Sequence, residues 1–221
     1  MTSFATARRK MVDGQVRPSD VTDLRIIDAM IDVPREVFVP AAQQGMAYLD
    51  IDIEVSAGSG AKRYLIKPAV LAKMIQAAAI GPADRVLVVG CATGYSAAIA
   101  AKLAAGVVAT ESDATLAATA QAALKGLGIA NVRVVTAPAA AGESSGAPYD
   151  VIILDGATQI VPDVLYQQLA AGGRLVGVFA AVQPPRAEIV TRSPGDFGNR
   201  ALFDAYAPVL PGMERPAAFT F

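Results

Sequence analysis

From Ile80 onward the chain alternates short runs of β-branched residues with stretches rich in Ala and Leu. This alternation is typical of βαβ units, in which helices connect parallel strands. A hydrophobic content of 53% with only 18% charged residues indicates a sheet that is buried on both faces. The runs that predict parallel strands are Val86–Val89, Val107–Thr110, Val132–Val135, Val151–Leu154 and Leu175–Phe179.

Three helices are expected between these strands. They are Tyr95–Leu103, a helix that begins at the N-cap residue Asp113 and ends at Gly128, and a helix that begins at Pro162 and is stopped by Gly172-Gly173. The positions expected to face the core on the second and third helices are Leu116, Ala120, Leu124, Leu127, Val164, Leu165 and Leu169.

The end of the chain has no helical stretch between its last two β-type runs. Ala187–Thr191 and Leu202–Tyr206 predict two strands, and the turn-rich Ser193–Asn199 joins them. Strands connected without a helix pair in opposite directions, so we expect an antiparallel ending to the sheet.

The first 80 residues have a different pattern. It predicts helices over Phe4–Val16 and Leu24–Val33, an edge strand over Asp50–Val55, and a helix from Pro68 through Ile80. We therefore expect an N-terminal helical cap over residues 1–80 and an α/β sheet over residues 81–221, together forming one compact domain.

Composition and charge narrow the classes of function. The net charge of −1 provides no basic field, so we expect no nucleic-acid partner. The longest uncharged run, Val86–Ala101, contains two glycines and is too short for a membrane span. The first ten residues lack the apolar segment of a signal peptide and Cys91 is the only cysteine, which together predict a cytoplasmic protein. The chain has no histidine, so Ser-His-Asp and Cys-His catalysis are excluded and no metal site is expected.

The candidate cofactor site is the loop after the first predicted strand of the sheet. Its residues Gly90, Cys91, Ala92, Thr93 and Gly94 are small, and such a strand-to-helix loop lets backbone N–H groups approach a ligand closely.

Glu111 follows the second strand of the sheet, where a carboxylate can accept both hydroxyl hydrogens of a ribose. A dinucleotide fold would place a third glycine later than Gly94, so the spacing favours S-adenosylmethionine. Three simpler interpretations stay open: a tightly packed turn that binds nothing, Glu111 as a solvated charge, and Cys91 as a packing residue instead of a reactive thiol.

Beyond this loop, the chain resembles the protein-L-isoaspartate O-methyltransferases along nearly its whole length. The specific matches are V-P-R-E-x-F-V-P over Val33–Pro40 and Q-L-x-x-G-G-R-L-V over Gln168–Val176. The resemblance implies a class I methyltransferase fold, which is a Rossmann-type doubly wound sheet of seven strands, mostly parallel with an antiparallel C-terminal strand. It also implies S-adenosylmethionine as cofactor and a damaged protein or peptide as methyl acceptor; a small-molecule acceptor stays an alternative.

Three positions depart from the family at places where it contacts ligands. Ile66 stands where the family has a Ser or Thr beside the substrate carboxylate, and Val88 replaces an acidic residue that organises the methionine end of the cofactor. Pro138 replaces an Asp that accepts the adenine amino hydrogen, which a proline side chain cannot do. We therefore expect weaker cofactor contacts and an altered acceptor.

Asp155 follows the fourth strand of the sheet, at a family position that is normally uncharged. We expect it near the transferred methyl group, as the catalytic residue. There it would repel a carboxylate acceptor, and it could instead act as base for a hydroxyl or amine or bind a cationic group. The other candidate substrate residues are Tyr48, Arg63, Ile66, Lys67 and Tyr95. Lys62, Arg63 and Lys67 could attract an anionic substrate, but they are equally compatible with a solvated surface strip. The tyrosines could instead be core residues.

Three functions are therefore compared. The first is an S-adenosylmethionine-dependent methyltransferase with an altered acceptor. The second is a non-catalytic relative that binds the cofactor weakly and acts through protein contacts. The third, a nicotinamide-dependent oxidoreductase, is disfavoured by the glycine spacing. The sequence leaves the acceptor and the oligomeric state open.

Overall fold

The computed structural model describes residues 3–56 and 60–216. Its helices are α1 (Phe4–Met11), α2 (Leu24–Asp32), α3 (Pro68–Ala78), α4 (Tyr95–Ala101), α5 (Ala114–Gly126) and α6 (Asp163–Gln167). Its strands are β1 (Ile53–Glu54), β2 (Tyr64–Leu65), β3 (Arg85–Val89), β4 (Gly106–Glu111), β5 (Val132–Thr136), β6 (Tyr149–Thr158), β7 (Leu169–Phe179), β8 (Arg186–Ser193) and β9 (Asp196–Asp204).

Seven strands form the main sheet, in the order β5-β4-β3-β6-β7-β8-β9. The neighbours from β5 to β7 pair in parallel, whereas β8 is antiparallel to both β7 and β9. This confirms the expected doubly wound sheet with an antiparallel ending. The carboxyl ends of β3, β4 and β6 lie side by side, which is where open α/β sheets bind ligands.

The central strands β3 and β6 are buried on both faces, as their uncharged runs predict. Val86 and Val88 of β3 belong to one apolar cluster, which includes Met30 of α2 and Ile75 of α3. Leu87, between them, belongs to a second cluster on the opposite face. Alternate residues of one strand therefore fill two separate cores, which requires apolar side chains at every position.

The N-terminal segment packs against the sheet and shares its first apolar cluster. α1 continues directly into a π-helical turn, Val12–Val16, so the predicted helix over Phe4–Val16 is helical throughout. Arg174 of β7 ties the end of α3 to the sheet, because its Nε donates to the Ala78 carbonyl at 2.6 Å and its Nη2 lies 2.7 Å from Asp84 Oδ2. Among the described residues, no helix is long and apolar enough to span a membrane.

The prediction for the helix after Pro162 is wrong in its extent. α6 ends at Gln167, and Val164, expected to face the core, is 56% exposed. Gly172-Gly173 does not stop a helix but lies in a bulge of β7: Leu169 pairs with Tyr149 and Arg174 with Val151, so four residues bulge opposite one. The φ of +75° at Gly172 allows this bulge.

Two predictions about strands are also wrong. The segment Ser193–Asn199 is not a long turn, since β9 already begins at Asp196 and only a tight turn with Gly195 at φ +83° separates it from β8. The expected edge strand over Asp50–Val55 is only the two residues of β1, which pair with β2 in a separate hairpin and not with the main sheet. Pairing with the neighbouring strand outweighs the local turn and strand signals in both places.

Replacing Asp113 by Ala should destabilise the protein by about 1 kcal/mol, because the Asp113 carboxylate caps α5 by accepting from Thr115 N at 2.7 Å and Leu116 N at 3.1 Å. Urea unfolding monitored by circular dichroism measures the loss. Asp113→Ser, which keeps a capping oxygen, is the control and should recover most of the stability. Equal stability of the Ala variant and the parent protein would contradict the capping role.

Candidate active site

The loop between β3 and α4 has the backbone of a close-approach site. Gly90, Ala92 and Gly94 have φ values of +72°, +50° and +100°. A side chain on Gly94 would place its Cβ 3.1 Å from the Ala120 Cβ of α5, so the loop also packs tightly against that helix. Only small residues permit this course of the chain.

The side chains of the loop point into the protein. Cys91 is fully buried, and burial raises the pKa of its thiol, which favours the packing interpretation over a reactive thiol. The Thr93 hydroxyl donates to the Phe38 carbonyl at 2.5 Å, which joins the loop to the N-terminal cap.

Glu111 lies at the carboxyl end of β4 and is fully buried, so its interpretation as a solvated charge is wrong. Its carboxylate accepts from the backbone N–H of Ala92 at 2.8 Å, of Ser112 at 2.8 Å and of Asp113 at 3.2 Å. The expected ribose-binding carboxylate therefore does contact the glycine loop.

Arg63 joins this group from outside the sheet. Its Nε lies 3.2 and 3.1 Å from the two carboxylate oxygens of Glu111, and its Nη2 donates to the Gly90 carbonyl at 2.6 Å. Because Arg63 is only 2% exposed, the solvated-strip interpretation is wrong for it. It holds for Lys62, which is exposed and pairs with Glu54. The backbone N–H of Lys67 donates to Asp52 Oδ1 at 3.0 Å.

Asp155 lies near the carboxyl end of β6 and is 2% exposed. Its Oδ2 accepts from the Ser96 hydroxyl at 2.5 Å, whereas its Oδ1 has no hydrogen-bond partner among the described residues. Burial raises the pKa of Asp155 to about 6, against the lowering effects of Ser96 and the nearby guanidinium groups. Sequence reasoning missed Ser96, although a hydroxyl in the first turn after the loop was a usable signal.

A second buried group surrounds Tyr95. The guanidinium of Arg35 lies 4.6 Å from the centroid of the Tyr95 ring, and its Nη2 donates to the Ile66 carbonyl at 2.9 Å. The Tyr95 hydroxyl and Arg35 Nη1 lack partners among the described residues, and burial raises the pKa of Tyr95 to about 12. Arg35 therefore connects Tyr95 to Ile66 in the structure. From the sequence, Arg35 was identified only as part of the V-P-R-E motif.

The remaining expected residues lie apart from this group. The Tyr48 hydroxyl bonds to Glu36 and accepts from Arg8 Nε at 2.9 Å, so it links α1 to the rest of the cap. Pro138 is exposed after the end of β5 and Val88 is fully buried in the core. Neither side chain offers a hydrogen-bond donor or acceptor.

The seven-stranded sheet, the small-residue loop after β3 and the acid at the end of β4 define a class I methyltransferase-like α/β protein. The family model described as protein-L-isoaspartate(D-aspartate) O-methyltransferase matches residues 7–189, and the chain belongs to that family.

Two relatives named protein-L-isoaspartate O-methyltransferase match most of the chain. The protein from Koribacter versatilis is 36% identical, over 95% of this chain and 93% of its own length. The protein from Methylorubrum populi is 37% identical, over 94% of this chain and 96% of its own length.

Solved structures share the fold. A protein-L-isoaspartate O-methyltransferase superposes with a TM-score of 0.81 at 23% identity, covering 91% of this chain and 65% of that one. A Plasmodium falciparum structure described as a β-aspartate methyltransferase, in complex with S-adenosyl-L-homocysteine, has a TM-score of 0.77 at 17% identity, over 92% and 97% of the two chains.

The raised pKa of Asp155 predicts a pH-dependent stability. Between about pH 4 and 6 the folded protein holds a proton that the unfolded chain releases, so stability falls as pH rises through this window. Asp155→Asn removes this contribution, and its stability relative to the parent protein should rise by up to about 3 kcal/mol from pH 4 to pH 7. Urea unfolding at a series of pH values measures the difference.

Asp28→Asn, which changes an exposed carboxylate on α2, is the matched control and should show no such trend. A stability difference between Asp155→Asn and the parent protein that stays constant across this pH range would refute the assignment.

Proposed function

We propose that this chain is an S-adenosylmethionine-dependent methyltransferase of the isoaspartyl family with an acceptor other than an isoaspartyl carboxylate. The observation that carries the proposal is the 2.8 Å contact between the Glu111 carboxylate and the backbone N–H of Ala92. It joins an acid at the end of the second parallel strand to the loop at the end of the first, which is the arrangement of nucleoside-binding sheets. Membership of the family supports the same cofactor and reaction.

The backbone of the loop fits the cofactor, but in this conformation side chains occupy the space that the cofactor needs. Glu111 already accepts from several backbone N–H groups, and Arg63 covers its remaining side. A Cβ on Gly90 would lie 2.8 Å from Arg63 Nη2 and 2.5 Å from Leu210 Cδ2, so the space above the loop is filled. Cofactor binding therefore requires Arg63 to leave Glu111 and the Leu210 side chain to move away from Gly90.

With Arg63 displaced, Glu111 would hold the ribose and the loop residues Gly90–Gly94 the methionine portion. When bound, S-adenosylmethionine supplies a methyl group on a sulfonium, and such a transfer depends mainly on positioning the acceptor in a dry pocket. Val88 and Pro138 contribute no side-chain hydrogen bonds to the cofactor. Each lost bond weakens binding by about 0.5–1.5 kcal/mol, which leaves a usable affinity.

The acceptor is inferred from two residues. Ile66 offers no hydroxyl to a substrate carboxylate, and the buried Asp155 is mostly ionised above its pKa of about 6. Two carboxylates 4 Å apart repel by about 4 kcal/mol at an effective dielectric constant near 20. Asp155 therefore disfavours a carboxylate acceptor and suits a hydroxyl or amine, whose proton it can accept through Oδ1.

Asp155→Asn should methylate an isoaspartyl peptide at least about tenfold faster than the parent protein, because the substitution removes most of this repulsion. Transfer of labelled methyl to the peptide at pH 7.5 and saturating cofactor measures it, with Asp28→Asn as the control for a surface charge change. The repulsion hypothesis fails if the Asn variant is no faster than the parent protein.

A second candidate is a non-catalytic relative that acts through protein contacts, which the buried Arg63–Glu111 ion pair favours. Calorimetry with S-adenosyl-L-homocysteine separates the two candidates. The proposed function predicts saturable binding, and incubation of the protein with labelled cofactor and a cell extract should then yield a labelled product. Absence of binding by the parent protein and by variants that free Glu111 would leave only the second candidate.

A further inference from the structure

Arg63 contacts both halves of the proposed cofactor position with one side chain. Its guanidinium binds the Glu111 carboxylate and the carbonyl of Gly90, the first residue of the loop. The two charged side chains are 3% and 0% exposed, so the ion pair is sealed from water. Hydrogen bonds between charged groups are stronger than those between neutral groups, and dissolved salt screens a buried ion pair only weakly.

The position of Arg63 is fixed by its backbone. The Arg63 carbonyl accepts from Val55 N at 2.8 Å and its N–H donates to Ser56 Oγ at 3.1 Å, next to the β1–β2 hairpin. These two bonds fix the main chain of Arg63 beside the site.

Glu111 has no oxygen left for a ribose while Arg63 is present. Its Oε1 accepts from Ser112 N, Ser112 Oγ and Asp113 N, and its Oε2 from Ala92 N. Arg63 Nε adds a further donor to each oxygen, so the two oxygens together serve more donors than the about four lone-pair directions of a carboxylate. A guanidinium and a ribose diol would each present two donors to that same side of the carboxylate.

We infer that Arg63 is an internal competitor of the cofactor for Glu111, so that cofactor affinity is set by the equilibrium between the ion pair and a state with Arg63 withdrawn. This inference rests on the proposed function, because it assumes that the loop binds a nucleoside cofactor. The apparent dissociation constant equals the intrinsic constant divided by the fraction of molecules with Arg63 withdrawn.

Calorimetry of the full chain with S-adenosyl-L-homocysteine tests the inference. Arg63→Gln should bind at least about tenfold tighter than the parent protein, because the fraction of open sites rises. Lys62→Gln is the matched control: it removes the same charge from the neighbouring exposed residue and should leave the affinity unchanged. The double variant Arg63→Gln with Glu111→Gln should lose the gain, because the carboxylate for the ribose is absent.

Arg63→Gln leaves a buried carboxylate without its cation, which destabilises a protein. Arg63→Lys is the second variant: it keeps the charge but has one terminal nitrogen to serve both Glu111 and Gly90, and a smaller gain in affinity is expected. Circular dichroism reports whether each variant is folded.

The outcomes separate the inference from the proposed function. Equal, measurable binding by the parent protein and the Arg63 variants overturns the competition and leaves the methyltransferase proposal standing. A gain that persists in the double variant also overturns it, since loosening of the site then explains the gain. If none of the folded proteins binds, the proposed function itself is overturned.

Discussion

The buried carboxylate of Glu111 is the constraint on which the rest of the site depends. An ionised group taken out of water is costly unless charges and hydrogen bonds compensate it. Here the backbone of the β3–α4 loop, the start of α5 and the guanidinium of Arg63 all converge on it. The loop conformation, the packing of the cap and the state of the cofactor position are therefore coupled through one side chain.

This coupling explains how a chain of this family can keep its fold while its ligand contacts change. The glycine loop and Glu111 are held by backbone pairing at the ends of β3 and β4, which is independent of any ligand. Ile66 and Val88 are buried in the apolar core and Pro138 is exposed, so the residues at these three positions are compatible with the fold. Under the proposed function, Asp155 has the largest chemical consequence, because it would place a buried ionisable group beside the acceptor.

The sequence predicts the sheet well and the contacts between distant segments poorly. The positions of the main strands follow from β-branched runs, and their parallel direction follows from the helices between them. The N-cap at Asp113 follows from a local rule. The bulge at Gly172-Gly173 and the early start of β9 depend on pairing with neighbouring strands, which local patterns do not report.

The same distinction applies to the site. Glu111 was found because its spacing from the loop is a sequence property. Its partner Arg63 lies 48 residues away in the chain, and the sequence left open whether Arg63 contacts substrate or belongs to a solvated strip. Ser96 was missed because its contact with Asp155 joins α4 to β6, and Arg35 was missed because it meets Tyr95 only when the cap packs against α4. The role of a residue that depends on contacts with distant segments can therefore be recognised only in the folded structure.

A crystal structure of the parent protein grown with excess S-adenosyl-L-homocysteine tests the central claim most directly. The account predicts the ligand at the loop after β3, its ribose hydroxyls bonded to Glu111 and the Arg63 guanidinium moved off the carboxylate. A ligand bound there with the Arg63–Glu111 pair intact, or bound elsewhere on the chain, would contradict the account.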